Sequence, residues 1–136
     1  MYKICAGDDP VLRFARDELL RYGGNAFGKT SRREEADILL VDENADKWRD
    51  SFSLKSREGK LHISGSNPRS VLFGVYEYLK RHGFAFLYPG KEGEIVPESP
   101  RFRIDGFDIS ETASRTFRGL AVAPDPENLE EFCGLR

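Results

Sequence analysis

The sequence is poor in the residues that most often form crosslinks or bind metals. It has two cysteines, Cys5 and Cys133, and two histidines in 136 residues. Two thiols far apart in the chain make neither a disulfide framework nor a zinc site. Cys5 lies in an apolar strand pattern, so we expect it to be a small buried hydrophobic residue. Neither histidine has a second histidine or cysteine at a metal-ligand spacing, and we predict no metal and no other cofactor.

The chain also lacks an excess of either charge and lacks a long apolar run. Lys and Arg number 21 against 23 Asp and Glu, and the two signs are interspersed. We therefore expect no nucleic-acid partner. No membrane-length apolar run and no signal peptide is visible, so we expect no membrane association, and a cytoplasmic location if Met1 is the native start.

The length limits what chemistry the chain can carry. A (β/α)₈ barrel needs about 250 residues, and this chain has 136. No Gly-x-Ser-x-Gly elbow and no Cys and His pair arranged for nucleophilic work is present. Carboxylates are plentiful, but no pair stands out as the two that a glycosidase needs. We therefore predict no catalytic residue and no enzymatic activity for this chain by itself.

Two helices begin with the same signal, a capping residue followed by proline. Asp9 and Pro10 begin the first helix, and Asn67 and Pro68 begin the second. Apolar residues recur at helical spacing in both segments, and glycines end both, at Gly23 and Gly83. Gly74 lies on or near the apolar face of the second helix, which indicates close backbone packing.

The remaining apolar segments predict strands. Two are short apolar runs, one alternates around a Glu-Gly turn and forms a hairpin, and one is aromatic. The resulting order is β-α-β-β-α-β, and it predicts an α+β fold, a two-layer mixed β-sheet with two α-helices packed on one face. The strand segments are residues 2–6, 36–41, 52–63 for the hairpin and 84–88, with a further short edge strand at 94–96.

The segment Pro97 to Pro100 marks a boundary. Residues 1–100 form the predicted α/β domain. The apolar residues that follow are spaced irregularly, so we expect residues 101–136 to begin as an extended C-terminal tail that leads away from that domain.

One motif points to nucleotides. Residues 23–30 satisfy the P-loop expression G-x-x-x-x-G-K-[ST], in which Lys29 would contact a phosphate. A P-loop needs a strand before the glycines and a helix after the lysine, so that backbone N–H groups face the phosphates. Here a helix precedes Gly23, and only five residues separate Thr30 from the next strand. We interpret the segment as a flexible helix-to-strand loop and keep a small nucleotide-binding protein as an alternative.

Residues 64–89 resemble a known domain. Together with the preceding hairpin they are similar to the accessory domain that precedes the barrel in glycoside hydrolases of the α-glucuronidase and β-N-acetylhexosaminidase type. The resemblance implies a noncatalytic domain beside a (β/α)₈ barrel of the same polypeptide, with 1–100 as the accessory domain and 101–136 as linker and start of the barrel. The residues that fit the pattern are Asn67, Arg69, Leu72, Gly74, Val75, Tyr76, Leu79, Gly83, Phe86 and Pro89.

The tail carries a second part of the resemblance. Phe117-Arg118-Gly119-Leu120 is similar to the aromatic-Arg-Gly signature of the first barrel strand in these enzymes, where the arginine helps hold the sugar. The match makes Arg118 the substrate-binding residue, with a carbohydrate as the parent enzyme's substrate. No proline precedes Arg115, and no Asp follows Leu120 directly, so the pattern does not select a subfamily.

A stand-alone carbohydrate-binding module is the other alternative. Such modules usually expose aromatic side chains, whereas Tyr76, Tyr78, Phe84 and Phe86 lie in core-like patterns. Only Trp48, in a polar loop, is a candidate sugar platform.

Overall fold

A computed structural model describes residues 1–117 of the chain. The two predicted helices are present with the predicted starts, and the described residues also form eight strands. The elements are β1 (Tyr2–Ala6), α1 (Pro10–Gly23), β2 (Phe27–Lys29), β3 (Ile38–Asp42), β4 (Ser51–Arg57), β5 (Lys60–Gly65), α2 (Pro68–Arg81), β6 (Ala85–Phe86), β7 (Glu94–Ile95) and β8 (Asp108–Thr112).

Six strands form one mixed sheet in the order β2-β1-β3-β5-β4-β8. The pairs β1–β2, β1–β3 and β3–β5 are parallel, whereas β4 pairs with β5 and β8 in antiparallel fashion. The turn between β4 and β5 has positive φ at Glu58 (51°) and Gly59 (75°). Two successive positive φ values are typical of the tight hairpin turn that matches strand twist. The predicted hairpin is confirmed.

Both helices cover the same face of this sheet, so the predicted α+β architecture is confirmed. Alternate side chains of the strands point into a single core with the inner sides of α1 and α2. The opposite side of the sheet, which we call the open face, has only a small apolar cluster of Cys5, Ala36 and Leu39. Cys5 is 8% exposed, as predicted. The fully buried core residues include Ile4, Leu19, Ile38, Leu54, Leu61, Ile63, Val71, Val75, Tyr78 and Leu79.

Two glycines let α2 approach the sheet closely. A Cβ at Gly74 would lie 2.7 Å from Cγ2 of Ile63, and one at Gly65 would lie 2.5 Å from the backbone nitrogen of Val71. Carbon atoms in contact are normally 3.5 to 4.0 Å apart. The close packing predicted at Gly74 is therefore confirmed, and Gly65 contributes the same freedom from the strand side.

A buried polar network holds the start of α2. Oδ1 of Asn67 accepts from the backbone N–H of Ser70 at 2.9 Å, and its Nδ2 donates to Asp46 O at 3.0 Å and to Asp50 Oδ1 at 3.1 Å. Asp50, 6% exposed, also accepts from Arg69 at 2.8 Å. Burial alone would raise the pKa of Asp50, but hydrogen bonds from Arg69, Asn67 and Ser70 lower it overall.

The loop predicted between α1 and β3 contains a strand instead. Residues Phe27–Lys29 form β2 at the edge of the sheet, parallel to β1. The backbone N–H of Thr30 continues the pairing with a hydrogen bond to Ile4 O at 2.9 Å. Phe27 is 4% exposed in the core, and this burial explains why the segment is ordered along β1 rather than flexible.

The aromatic segment at 84–88 does not join the main sheet. Its two strand residues, Ala85–Phe86, pair with Glu94–Ile95 in a separate two-stranded sheet. The turn at Pro89 and Gly90 returns the chain before the strand can extend. The expected strand and the expected edge strand at 94–96 thus pair with each other.

Residues after Pro100 return to the domain, so the expectation that they lead away is wrong for 101–112. Phe107 is 5% exposed in the core, and β8 pairs with β4. Ser56 fixes this segment, because its Oγ donates to Ile104 O at 2.7 Å and accepts from the N–H of Phe107 at 2.9 Å. The predicted start of a barrel beyond Phe117 lies outside the described residues.

We expect the substitution Asn67→Ala to lower the free energy of unfolding by about 2 kcal/mol, because it removes a helix cap and leaves buried partners without a hydrogen bond. Urea denaturation of the purified chain measures the change. The matched control is Asn25→Ala, whose exposed side chain predicts a change within about 0.5 kcal/mol. Equal effects of the two substitutions would contradict the role assigned to the network.

Candidate functional site

The P-loop match does not form a phosphate cradle. Gly23 ends α1, Gly24–Ala26 form a short 3-10 turn, and Lys29 ends β2. A second 3-10 turn, Arg33–Glu35, and then β3 follow Thr30, so no helix N-terminus faces the segment. The geometry lacks the strand-glycine-helix order that phosphate binding requires, and it does not favour the nucleotide-binding alternative.

The sequence singles out two further residues as candidates for sugar contact, Arg118 and Trp48. Arg118, the predicted substrate-binding residue, lies outside the described residues. Trp48 is 63% exposed, and the ammonium group of Lys47 lies 5.6 Å from the centre of its ring.

The most prominent exposed apolar area lies on the outer side of the helical layer. It consists of Phe14 of α1, Phe73 of α2, and Phe86, Leu87 and Tyr88 of the β6–β7 hairpin, which we call the helix-side surface. Their exposed fractions are 51%, 38%, 37%, 67% and 56%. The expectation that Phe86 is a core residue is therefore wrong, because the hairpin lies over the helices.

Two open grooves of about 430 Å³ and 610 Å³ run through the helix-side surface. Both are lined by Tyr76, Phe86 and Leu87, so they adjoin along the hairpin. Phe73 lines the first groove and Phe14 the second. The exposed apolar side chains therefore belong to one continuous area rather than to scattered positions.

A polar network beneath this surface fixes the hairpin to the helices. The hydroxyl of Tyr76 donates to Glu18 Oε2 at 2.5 Å, and Glu18 is only 6% exposed. Arg21 lies 3.6 Å from a Glu18 oxygen and 3.2 Å from Glu94 in β7. The ring of Phe86 packs edge-on against Tyr22 and Tyr76, with centroids 5.3 and 4.9 Å apart. These ion pairs and ring contacts hold the β6–β7 hairpin against both helices.

The tyrosines of this network are hydrogen-bond donors at neutral pH. Burial, and next the hydrogen bond with Glu94, raises the pKa of Tyr22 to about 12. Burial, and next the hydrogen bond to Glu18, raises the pKa of Tyr76 well above its usual range. Neither phenol has the pKa near 7 that a general acid or base would need. Glu18 contacts Tyr76 and Arg21, and its position favours a structural role.

His82 connects α2 to the segment after Pro100. Its Nδ1 bonds to Tyr78 O at 2.8 Å, and its Nε2 accepts from the backbone N–H of Arg103 at 3.2 Å. The rings of Tyr78, Phe102 and Phe107 surround the imidazole. Burial is the main cause that lowers the pKa of His82. His82 therefore has a packing and hydrogen-bonding role between α2 and the segment after Pro100.

Within residues 1–117, no group of three or more His, Cys, Asp or Glu side chains is placed to hold a metal ion. In the same part of the chain, no helix has the length and apolarity needed to cross a membrane.

No family model matches the chain, and no curated protein matches it. Among solved structures, the chain is similar to a GH138 enzyme targeting pectin rhamnogalacturonan II, with 18% sequence identity and a TM-score of 0.44. The match covers 58% of this chain and 12% of that one, so this chain spans a small part of that enzyme's length. The likeness is to a glycoside hydrolase, at a similarity too low to assign fold, subfamily or function.

We expect the stability of the chain to decrease as the pH falls below 6.5, the ordinary pKa of histidine. The unfolded chain binds a proton at His82 near that value and the folded chain does so only at lower pH, so stability is lost between the two. Urea denaturation from pH 7.5 to pH 5 measures the loss, and NMR titration of the imidazole measures the pKa directly. His82→Gln should show a flatter dependence. A His82 pKa at or above 6.5 would contradict this expectation.

Proposed function

We propose that the chain is a noncatalytic N-terminal domain of a glycoside hydrolase, and that its role is to support the catalytic (β/α)₈ barrel of the same polypeptide and shape the edge of its sugar cleft. The α-glucuronidase and β-N-acetylhexosaminidase type is the finer part of this proposal, and it rests on the sequence pattern of residues 64–89. The exposed apolar area of the helix-side surface is the best evidence that this domain packs against a barrel.

The helix-side surface has the composition of a docking area for a folded domain. Four aromatic rings and a leucine, at 37% to 67% exposure, line its two adjoining grooves. Soluble domains rarely leave contiguous apolar area of this kind uncovered. Charged side chains of Arg21, Glu77, Lys80 and Glu94 line the same grooves. An apolar centre with a charged rim is typical of an interface between folded units.

The same surface is poorly suited to glycosidic bond cleavage. A glycosidase needs two carboxyl groups facing the scissile bond from opposite sides. Three of the four carboxylates at the grooves are already engaged, Glu18 with Tyr76, Glu94 with Arg21, and Glu77 with Arg81 at 2.7 Å. The fourth, Glu111, lies in the first groove, and no second free carboxylate among residues 1–117 lines either groove with it. Committed carboxylates of this kind support a structural role for the described domain.

Arg118 is the residue that we propose for substrate contact in the parent enzyme. The proposal rests on the Phe117-Arg118-Gly119-Leu120 match, in which an arginine forms charge-assisted hydrogen bonds with sugar hydroxyls. Phe117, the last described residue, is 85% exposed and is free to contact another domain.

If the helix-side surface packs against the catalytic domain, Leu87→Ser will have different effects in two contexts. In the 136-residue chain we expect a change in the free energy of unfolding within about 0.5 kcal/mol, because Leu87 is exposed. In the full-length gene product we expect a loss of about 1 to 2 kcal/mol, because an interface contact is removed. Thermal and urea denaturation of both proteins measure the difference.

Trp48→Ser is the control for this comparison, since Trp48 has a similar exposed fraction (63% against 67%) and lines neither groove. It should be neutral in both contexts. The docking role is wrong if Leu87→Ser has the same effect in both contexts, and the noncatalytic role is wrong if the purified 136-residue chain cleaves aryl glycosides above the buffer rate.

A further inference from the structure

The open face of the sheet carries a groove that the docking surface on the helices does not use. Its volume is about 270 Å³, and it lies along β4 and β5 on the side away from both helices. Serine hydroxyls and cationic side chains dominate its lining, and Glu43 is the carboxylate at its end. The polar and cationic residues are Arg33, Ser53, Lys55, Arg57, His62 and Ser64.

The cations of this groove are uncommitted. Among residues 1–117, the side chains of Arg33, Lys55 and Arg57 make no ion pair and no hydrogen bond. The nearby Glu35 is already paired with Lys3 at 3.1 Å and with Arg32 at 2.7 Å. Three free cations therefore remain beside one another in a chain whose net charge is -2.

The position of Arg33 is set by the strand that follows the hairpin turn. Nζ of Lys60 donates to Arg33 O at 2.9 Å and to Glu34 O at 2.8 Å. These bonds hold the short turn before β3 above the edge of the open face. Arg33 thereby faces the groove from a different element than Lys55 and Arg57.

His62 lines the groove beside these cations. Burial is the first cause that lowers its pKa, and the charges of Arg57, Arg33 and Lys60 lower it further. Glu58 opposes them, and Asp108 of β8 pairs in register with Lys55 on the same face. Three cations therefore act in the same direction at His62, and Glu58 is the smallest influence on it.

The spacing of the cations indicates what kind of anion fits. Lys55 and Arg57 are two residues apart on one strand, so they point to the same face about 7 Å from one another. Side chains at this spacing can each pair with a separate carboxylate of one extended ligand. We propose that this groove binds a uronate-containing oligosaccharide, whose carboxylates on successive sugar units pair with Lys55 and Arg57 and whose hydroxyls bond to Ser53, Ser64 and His62. The choice of a sugar rests on the proposed function, and the choice of an acidic one rests on the groove.

The lining favours an acidic sugar over a nucleic acid. Binding of single-stranded nucleic acid uses aromatic side chains on which bases stack, and no aromatic residue lines this groove. Arginine and lysine beside hydroxyl and imidazole groups instead match a ligand that alternates carboxylates with hydroxyls.

The test is an NMR titration of the ¹⁵N-labelled chain with tetragalacturonate in low salt. We expect shifts of the amides of residues 53–57 and 62–64, weaker binding of galacturonic acid monomer, and no binding of maltotetraose. The double variant Lys55→Gln/Arg57→Gln should weaken tetragalacturonate binding about tenfold or more, because charge-assisted hydrogen bonds are lost. The double variant Arg13→Gln/Lys91→Gln removes the same charges outside the groove and should leave binding unchanged.

Several outcomes would overturn the proposal. These are no shift with tetragalacturonate, equal weakening by both double variants, equal binding of maltotetraose, or tighter binding of a single-stranded DNA oligonucleotide of similar charge. None of them bears on the docking test, because Leu87 lies on the helical layer and the groove lies on the opposite side of the sheet. Failure of one proposal is therefore distinguishable from failure of the other.

Discussion

The structure depends on the close approach of α2 to the sheet. Gly74 on the helix and Gly65 on the strand leave no room for a Cβ at either position, so the helix axis lies nearer to β5 than ordinary side chains would allow. The network of Asn67, Asp50 and Arg69 fixes the first turn of the same helix. The glycines fix the distance of α2 from the sheet, and the polar network fixes its first turn. Helix α1 packs beside α2, and the hairpin of β6 and β7 lies over both. The outer side of the helical layer and the open face of the sheet are the two broad sides that this packing leaves exposed.

The helix-side surface and the open face differ in the chemical groups that they expose. The helical side combines exposed apolar side chains with carboxylates already held by Tyr76 and Arg21, a combination suited to contact with another folded unit. The open face combines uncommitted cations with hydroxyl groups, which is suited to a small acidic ligand in water. The helical layer and the sheet both lie between them. The two surfaces lie on opposite sides of the domain, so occupation of one would not obstruct the other.

Much of the fold could be predicted from the sequence because its signals are local. Cap-plus-proline starts, glycine ends and the alternation around Glu58 and Gly59 each depend on neighbouring residues alone. Strand β2 was missed because three residues are too few to show alternation, and β8 because an edge strand presents only Ile109 to the core. The two candidate surfaces were harder to predict from the sequence than the fold. Phe86 has a core-like pattern in the sequence but is partly exposed in the structure, since periodicity reports apolar character and not which apolar side chains a second element covers. The alternation of Lys55 and Arg57 on the wet side of the hairpin was the one available signal for the groove.

The ends of the main sheet restrict how the domain can assemble. One outer strand, β2, has three residues, and the other, β8, carries Asp108 and Glu111 along an exposed border. Short or charged borders discourage the addition of a strand from another chain. Association by sheet extension is thereby disfavoured at both outer strands, which leaves the broad sides of the two layers as the larger areas for contact.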